Sequence, residues 1–266
     1  METPMRGFLF VCALLFSSCG ACAGGGGGSV GKIVVPYEGT PEVVIPHMIK
    51  MAGINSGDVV MDLGCGDGRI PIRAAKDVGA RGICVELDPK LVARAHARVK
   101  SAGVESKVVV EQGDLFEADL TRASVITLFL WDDVNLQLRP SLLKLTPGTR
   151  ILSLGHPMGA WRPDQVIRFG FTGWEDSNLY LWIVPADVAG VWRFEIAETT
   201  IDVHIVQKFQ TFTGTLADGT KRLVVHGGIV KGDGVTFTLR HGAHVQTYTG
   251  HFTDNRLHGE GWRALR

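Results

Sequence analysis

The sequence predicts an α/β body followed by a small all-β domain. Between residues 32 and 187, short apolar runs alternate with stretches of helical period, and a glycine-rich turn joins the first such run to a long helix. From residue 188 to 266 the helical period disappears and short, partly alternating runs take over, separated by turn signals. Strand–helix alternation of the first kind implies right-handed crossovers and a mostly parallel sheet covered on both faces.

The elements follow in order. Val59-Val60-Met61-Asp62-Leu63 is an apolar run that ends in glycines, and Arg69 to Val78 reads as the helix leaving it. Gly82 to Glu86 is the second strand. Leu91, Val92, Ala95 and Val99 line one helix face, with Gly103 placed to stop that helix. Lys107 to Glu111, Val125 to Leu130 and Arg150 to Leu154 are the third, fourth and fifth strands, and Leu179 to Val184 closes the sheet. Thr40 before Pro41 reads as an N-cap with proline at the first helical position, and Pro46 should distort that helix unless it begins there. In the tail, the runs 191–196, 203–209, 222–225, 235–239 and 244–252 read as a meander forming a small sandwich or half-barrel.

Composition narrows the function. Across 266 residues, 27 Lys and Arg balance 27 Asp and Glu, which argues against a generalised polyanion binder. A hydrophobic content of 45% excludes a wholly disordered chain. No apolar run is long enough for a transmembrane helix. Residues 1–23 instead read as a signal peptide, with Arg6 before the run Gly7 to Phe16 and Ala21-Cys22-Ala23 as a cleavage site. The same stretch also offers a lipoprotein reading, Leu15 to Cys19, in which Cys19 would carry a lipid anchor. Residues 24–31 form a glycine-rich linker. Cys65 and Cys84, the two cysteines of the body, read as small packing residues rather than a disulfide framework. The nine histidines lack the spacing of a zinc site, so no metal is expected. His47 and His156 read as ordinary core or surface histidines. Trp161, Trp174, Trp182 and Trp192 are expected to pack the seam between the two bodies.

The segment Asp62-Leu63-Gly64-Cys65-Gly66-Asp67-Gly68-Arg69-Ile70 carries the chemistry. Glycines let the backbone take positive φ and approach a ligand at the carboxyl end of a strand. Glu86 ends the second strand, where a carboxylate can accept from both hydroxyls of a ribose. Asp114 follows the third, where a carboxylate can accept from an adenine amino group. A nicotinamide dinucleotide site requires G-x-G-x-x-G, whereas the glycines here are one residue short of that spacing. Asp62, ahead of the first glycine, would also face a pyrophosphate unfavourably. An ammonium-bearing ligand would welcome it.

This ordered set resembles a class I S-adenosylmethionine-dependent methyltransferase, over about residues 35–185. Val35-Pro36-Tyr37-Glu38-Gly39-Thr40-Pro41, the glycine loop, and Gly155-His156-Pro157-Met158-Gly159-Ala160-Trp161 are similar to the family of the ATP synthase c-subunit lysine methyltransferase and its bacterial relatives. The resemblance implies a Rossmann-like fold and S-adenosyl-L-methionine as cofactor. Asp62, Gly64, Gly66, Glu86 and Asp114 would bind it. Tyr37 and Thr40 would line the pocket in a segment folded over the cofactor. Asp67 reads equally as a contact with the methionine end or as the N-cap of the next helix. Asp132 is the substrate-side candidate: Asp132 and Asp133 could orient a lysine ammonium or accept its proton, or could simply be helix-capping acids. The segment Trp131 to Asn135 and the β-rich tail depart from the eukaryotic members.

The implied partner is a methyl acceptor, with a lysine-bearing protein as the lead. No Asn-Pro-Pro-Tyr-like motif follows the fourth strand, which argues against nucleic acid. The leader implies export or membrane anchoring, whereas the supply of S-adenosylmethionine implies the cytoplasm. The alternative is therefore an exported, non-catalytic binding protein whose β-rich tail docks a partner.

Overall fold

A computed structural model describes residues 37–169, 178–219, 223–241 and 244–266. The leader with Cys19, the linker, Val35-Pro36 and Trp174 lie outside them. Five parallel strands make the body of the first sheet: β1 (Val59–Leu63), β2 (Arg81–Glu86), β3 (Val108–Gln112), β4 (Val125–Leu128) and β5 (Arg150–Leu154). Two antiparallel strands, β6 (Gln165–Arg168) and β7 (Asn178–Ile183), complete it in the order β3-β2-β1-β4-β5-β7-β6. The order reverses between β1 and β4, so a crevice opens at their carboxyl ends.

The central strands are apolar because both faces are covered. One face packs Met61, Leu63, Ile126, Leu128 and Ile151 beneath α4 (Asp132–Leu142), and the other packs Val60, Val125, Leu152 and Leu154 beneath α1 (Ile45–Ala52) and α2 (Arg69–Val78). Asp88 caps α3 (Pro89–Ala102) by accepting from the Lys90 amide at 2.8 Å. The expected cap at Thr40 is not formed. Pro41 to Val44 make a turn closed by Val44 N to Pro41 O at 2.9 Å, and the regular helix begins at Ile45. Pro46 thus sits in the first turn, where its missing N–H leaves no bond unmade.

The tail closes completely. Strands β8 (Gly190–Ile196), β9 (Thr199–Lys208), β10 (Thr211–Leu216), β11 (Leu223–Lys231), β12 (Gly234–His241), β13 (His244–Thr253), β14 (Arg256–Gly259) and β15 (Trp262–Leu265) form an up-and-down antiparallel barrel. β15 pairs with β8, so there is neither a sandwich nor an open half-barrel. Alternation puts Trp192, Phe194, Val203, Ile205, Phe212, Phe237 and Trp262 inside. Trp262 stacks on Phe194 at 6.0 Å and meets Phe237 edge-on at 5.0 Å. The interior is a packed core, as expected for a barrel of this strand number.

Of the tryptophans expected at the seam, Trp161 and Trp182 lie beside it and Trp192 does not. Trp161 stacks on Phe209 of the β9–β10 turn at 6.2 Å, and the Trp182 indole donates to the Trp161 carbonyl at 2.9 Å. Gln210 adds a bond to the Arg162 carbonyl at 2.6 Å. Trp192 is fully buried in the barrel, where its indole donates to the Val188 carbonyl at 2.8 Å.

Candidate active site

β1 delivers the chain to a loop in which Gly64, Gly66 and Gly68 all take positive φ, of 72°, 57° and 75°. At Gly66 a Cβ would lie 2.2 Å from Cε2 of Tyr37, so the tyrosine ring packs directly on this glycine. The loop is tied to β2 in three ways. The Gly64 and Cys65 amides donate to the Val85 carbonyl at 2.9 and 3.1 Å. The Gly66 amide donates to Glu86 Oε2 at 2.8 Å. Cys65 and Cys84 are joined by a disulfide, with Cα atoms 5.3 Å apart. This corrects the reading of those cysteines as packing residues. Spacing in a sequence says nothing of adjacent parallel strands, and here Cys84 is the register partner of Asp62, three residues before Cys65.

Asp62 is 4% exposed and accepts from Thr127 Oγ1 at 2.7 Å. Among the described residues its carboxylate makes no ion pair. Burial, reinforced by the charges of Glu86 and Asp67, pushes its pKa up to about 7 against the hydrogen bond from Thr127. Thr127 is its register partner on β4, a polar residue inside an apolar strand that no sequence motif marks. Glu86 is nearly buried, and its Oε1 accepts from the Leu87 and Asp88 amides at 2.8 and 3.0 Å. Asp114 is half-buried in the loop after β3 and accepts from the Phe116 amide at 3.0 Å. The structure therefore ranks Asp62, Glu86 and Asp114 along the carboxyl ends of β1, β2 and β3.

Of the two readings of Asp67, the structure overturns the N-cap. The N-cap of α2 is Gly68, with no side-chain cap. The Asp67 carboxylate is fully buried and accepts from Arg69 through Nε and Nη2, each at 2.9 Å, and from Arg98 Nη1. Burial alone would raise its pKa, but the bidentate bond to Arg69 and the charge of Arg98 outweigh it and hold the group below its ordinary value. Arg69 in turn donates to the Thr40 carbonyl at 2.8 Å and to the Tyr37 hydroxyl at 3.1 Å. Asp67 thus anchors the arginine that fastens the Tyr37–Thr40 segment over the glycine loop. Thr40 is buried, while Tyr37 keeps 42% of its surface exposed.

The chain leaving β4 crosses in front of this loop. A Cβ on Gly64 would lie 3.1 Å from Leu130 Cδ2, so Leu130 abuts the glycine turn. Two residues on, Asp132 Oδ1 lies 2.7 Å from His156 Nδ1. Trp131, 56% exposed, lies nearly parallel to the His156 ring at 6.5 Å. Asp133 turns to its own neighbour and accepts from the Val134 amide at 3.0 Å. Both acids occupy the first turn of α4, where the helix dipole favours them, but Trp131 is the cap residue. His156, read from sequence as an ordinary core or surface histidine, pairs with Asp132 where the chain leaves β5. His47 does behave as an ordinary histidine, exposed and edge-on to Phe169 at 5.2 Å.

Known proteins resemble this chain in sequence and fold. A family model for the ANTKMT methyltransferase domain matches residues 62–165. A protein-lysine N-methyltransferase of Saccharolobus islandicus is 39% identical over 156 residues, covering 56% of this chain and 94% of that protein. The human ATP synthase c-subunit lysine N-methyltransferase is 31% identical over 136 residues. That match covers 51% of this chain and 58% of the human protein's length. A solved structure described as an RNA methyltransferase from Salinibacter ruber in complex with S-adenosyl-L-homocysteine is 44% identical, with a TM-score of 0.54. It covers 57% of this chain and 96% of that chain. The chain belongs to the ANTKMT methyltransferase-domain family of S-adenosylmethionine-dependent methyltransferases.

Proposed function

We propose that the protein is a protein-lysine N-methyltransferase that holds S-adenosyl-L-methionine across the carboxyl ends of β1, β2 and β3. The observation that carries the cofactor assignment is the buried carboxylate of Asp62, which makes no ion pair among the described residues. A carboxylate in that position is costly unless a cation joins it, and the methionine ammonium is such a cation. Glu86 keeps lone pairs for two ribose hydroxyls, and Asp114 stands where the adenine amino group would lie. Gly64 and Gly66 permit close backbone approach, while Tyr37 and Thr40 cover the loop. Bound there, the sulfonium supplies an electrophilic methyl group. The remaining work of the protein is to orient the acceptor and exclude water. Leu130 packs against the glycine turn on that side.

A lysine acceptor is supported by the names of the Saccharolobus and human relatives and by Asp132 and Asp133 at the crevice. These acids attract an ammonium and repel a phosphate backbone. The Salinibacter description favours a second reading, RNA, which those charges oppose. We assign transfer to residues 32–187 and regard residues 188–266 as an appended barrel domain. Two features support a location outside the cytoplasm, exported or anchored: the leader, and the Cys65–Cys84 disulfide, since thiol pairs persist as disulfides in oxidising compartments. The supply of S-adenosylmethionine supports the cytoplasm instead.

Calorimetric titration of the full chain tests the cofactor. We expect micromolar binding of S-adenosylmethionine, none of NADH, and at least a hundredfold loss in Glu86→Ala. Unchanged binding by Glu86→Ala would overturn the assignment. Transfer of labelled methyl to poly-L-lysine, with total RNA as the competing acceptor, tests the substrate class. Intact-mass analysis of the mature N-terminus tests the location, and a chain still starting at Met1 would reject export.

A further inference from the structure

We propose that His156, oriented by Asp132, is the proton acceptor for the amine that receives the methyl group; the proposal rests on the lysine reading above. A lysine ammonium has no lone pair, so a proton must leave before nitrogen can attack. Asp132 stands in the first turn of α4, after β4, and His156 follows β5, so the two strand ends meet at the mouth of the crevice. The path from the glycine loop is continuous: Leu130 touches Gly64, Trp131 lies nearly parallel to the His156 ring at 6.5 Å, and Asp132 bonds its Nδ1. Among the described residues His156 Nε2 makes no hydrogen bond and is left for a substrate.

The histidine is held rather than loosely placed. Its carbonyl accepts from Asn135 Nδ2 at 3.0 Å and from Ser153 Oγ at 2.7 Å. Asn135 and Ser153 are both fully buried, and Asn135 also donates to Ser153 at 3.1 Å. Three groups face the ring: Asp132 from α4, and Trp131 and Phe129 from the segment before it. The one charged group among them is anionic. A carboxylate at Nδ1 holds the proton there and leaves the Nε2 lone pair outward.

The balance is simple. Nε2 takes one proton from the lysine ammonium, giving a neutral amine and an imidazolium. The amine lone pair then forms the new nitrogen–carbon bond as the carbon–sulfur bond breaks, its electron pair returning to sulfur. The products are a methylated ammonium and S-adenosylhomocysteine, and the imidazolium returns its proton to solvent.

The test uses the full-length protein, S-adenosylmethionine as donor and poly-L-lysine as acceptor. His156→Asn should lower kcat by about 10²–10⁴ near neutral pH. The deficit should shrink as pH rises, because solution then supplies neutral amine. Asp132→Asn should give a smaller loss, and S-adenosylhomocysteine should bind both variants within twofold of wild type. Nitrogen-15 correlation spectra of the unliganded protein, with the His156 signal assigned by its loss in His156→Asn, should show a proton on Nδ1 and none on Nε2. His156→Asn with wild-type kcat and pH profile, or a proton on Nε2 in the neutral ring, overturns the proposal while leaving the lysine reading intact. A wild-type protein that binds S-adenosylhomocysteine yet methylates no poly-L-lysine overturns the lysine reading, and this proposal with it.

Discussion

The two halves of the chain bury different chemistry. In the sheet half the interior includes Thr40, Asp58, Asp62, Asp67, Glu86, Thr127, Asn135, Thr149 and Ser153. In the barrel, the described buried side chains are apolar without exception, from Trp192 and Phe194 through Phe237 to Trp262. A barrel needs little else, since closure satisfies its backbone and a filled lumen supplies the packing. The sheet half accepts the desolvation of acids where strand ends meet, and most of those acids cluster around one glycine loop. Buried polarity, more than the presence of a core, therefore distinguishes the half that carries the proposed site.

The sharpest way to break that contrast is Trp262→Ala. It removes the ring shared by Phe194, Phe237 and Tyr248 and should destabilise the protein by about 3–5 kcal/mol. Cofactor affinity measured below the melting transition should stay within twofold. A parallel loss of affinity would show that the barrel core supports the site. Next in size is Cys65→Ser/Cys84→Ser, which opens a link spanning 19 residues and should lower unfolding free energy by about 3 kcal/mol in denaturant titration. Because the same link pins the glycine loop to β2, reducing agent should also weaken cofactor binding in the wild-type protein and have no effect on the double variant.

The pH dependence is smaller and isolates Asp62. Its pKa is raised from 3.8 to about 7, so between those values the folded chain holds a proton that the unfolded chain releases. This group's contribution to stability in the unliganded protein therefore declines as pH rises through that window. Binding an ammonium requires the ionised form, so cofactor affinity should fall about tenfold from pH 8 to pH 6, with up to one proton released per cofactor bound at the lower pH. Asp62→Asn should bind weakly at both, and a wild-type affinity that is flat with pH would remove the ammonium from Asp62. Smallest is Tyr37→Phe, which deletes the hydroxyl bonded to Arg69 and should weaken binding by about 0.5–1.5 kcal/mol, read by calorimetry.

The parallel strands were legible because each is a short apolar run bounded by turn residues, and the acids at their ends came with them. The barrel was only half legible. Its β10, β14 and β15 escaped detection, and they are the strands needed for closure. β14 and β15 are short, ending at Gly259 and Leu265 after four residues each. In β10 the inward position Gly214 carries no side chain, because a Cβ there would sit 2.6 Å from Val203 Cγ1, so the apolar alternation lapses. The ion pairs of Asp67 were not legible, since its arginine partners lie two and 31 residues away, the second on another helix.

Sequence by itself determined the α/β class, the position of the glycine loop, and the order Asp62, Glu86, Asp114 along it, because period and strand-end position are local properties of the chain. Tertiary structure alone decided that Cys65 meets Cys84, that Thr127 holds Asp62, that Asp132 reaches His156, and that the tail closes. Each of these depends on strand register or on two loops converging at one end of a sheet, and such distances are set by packing between segments far apart in the chain.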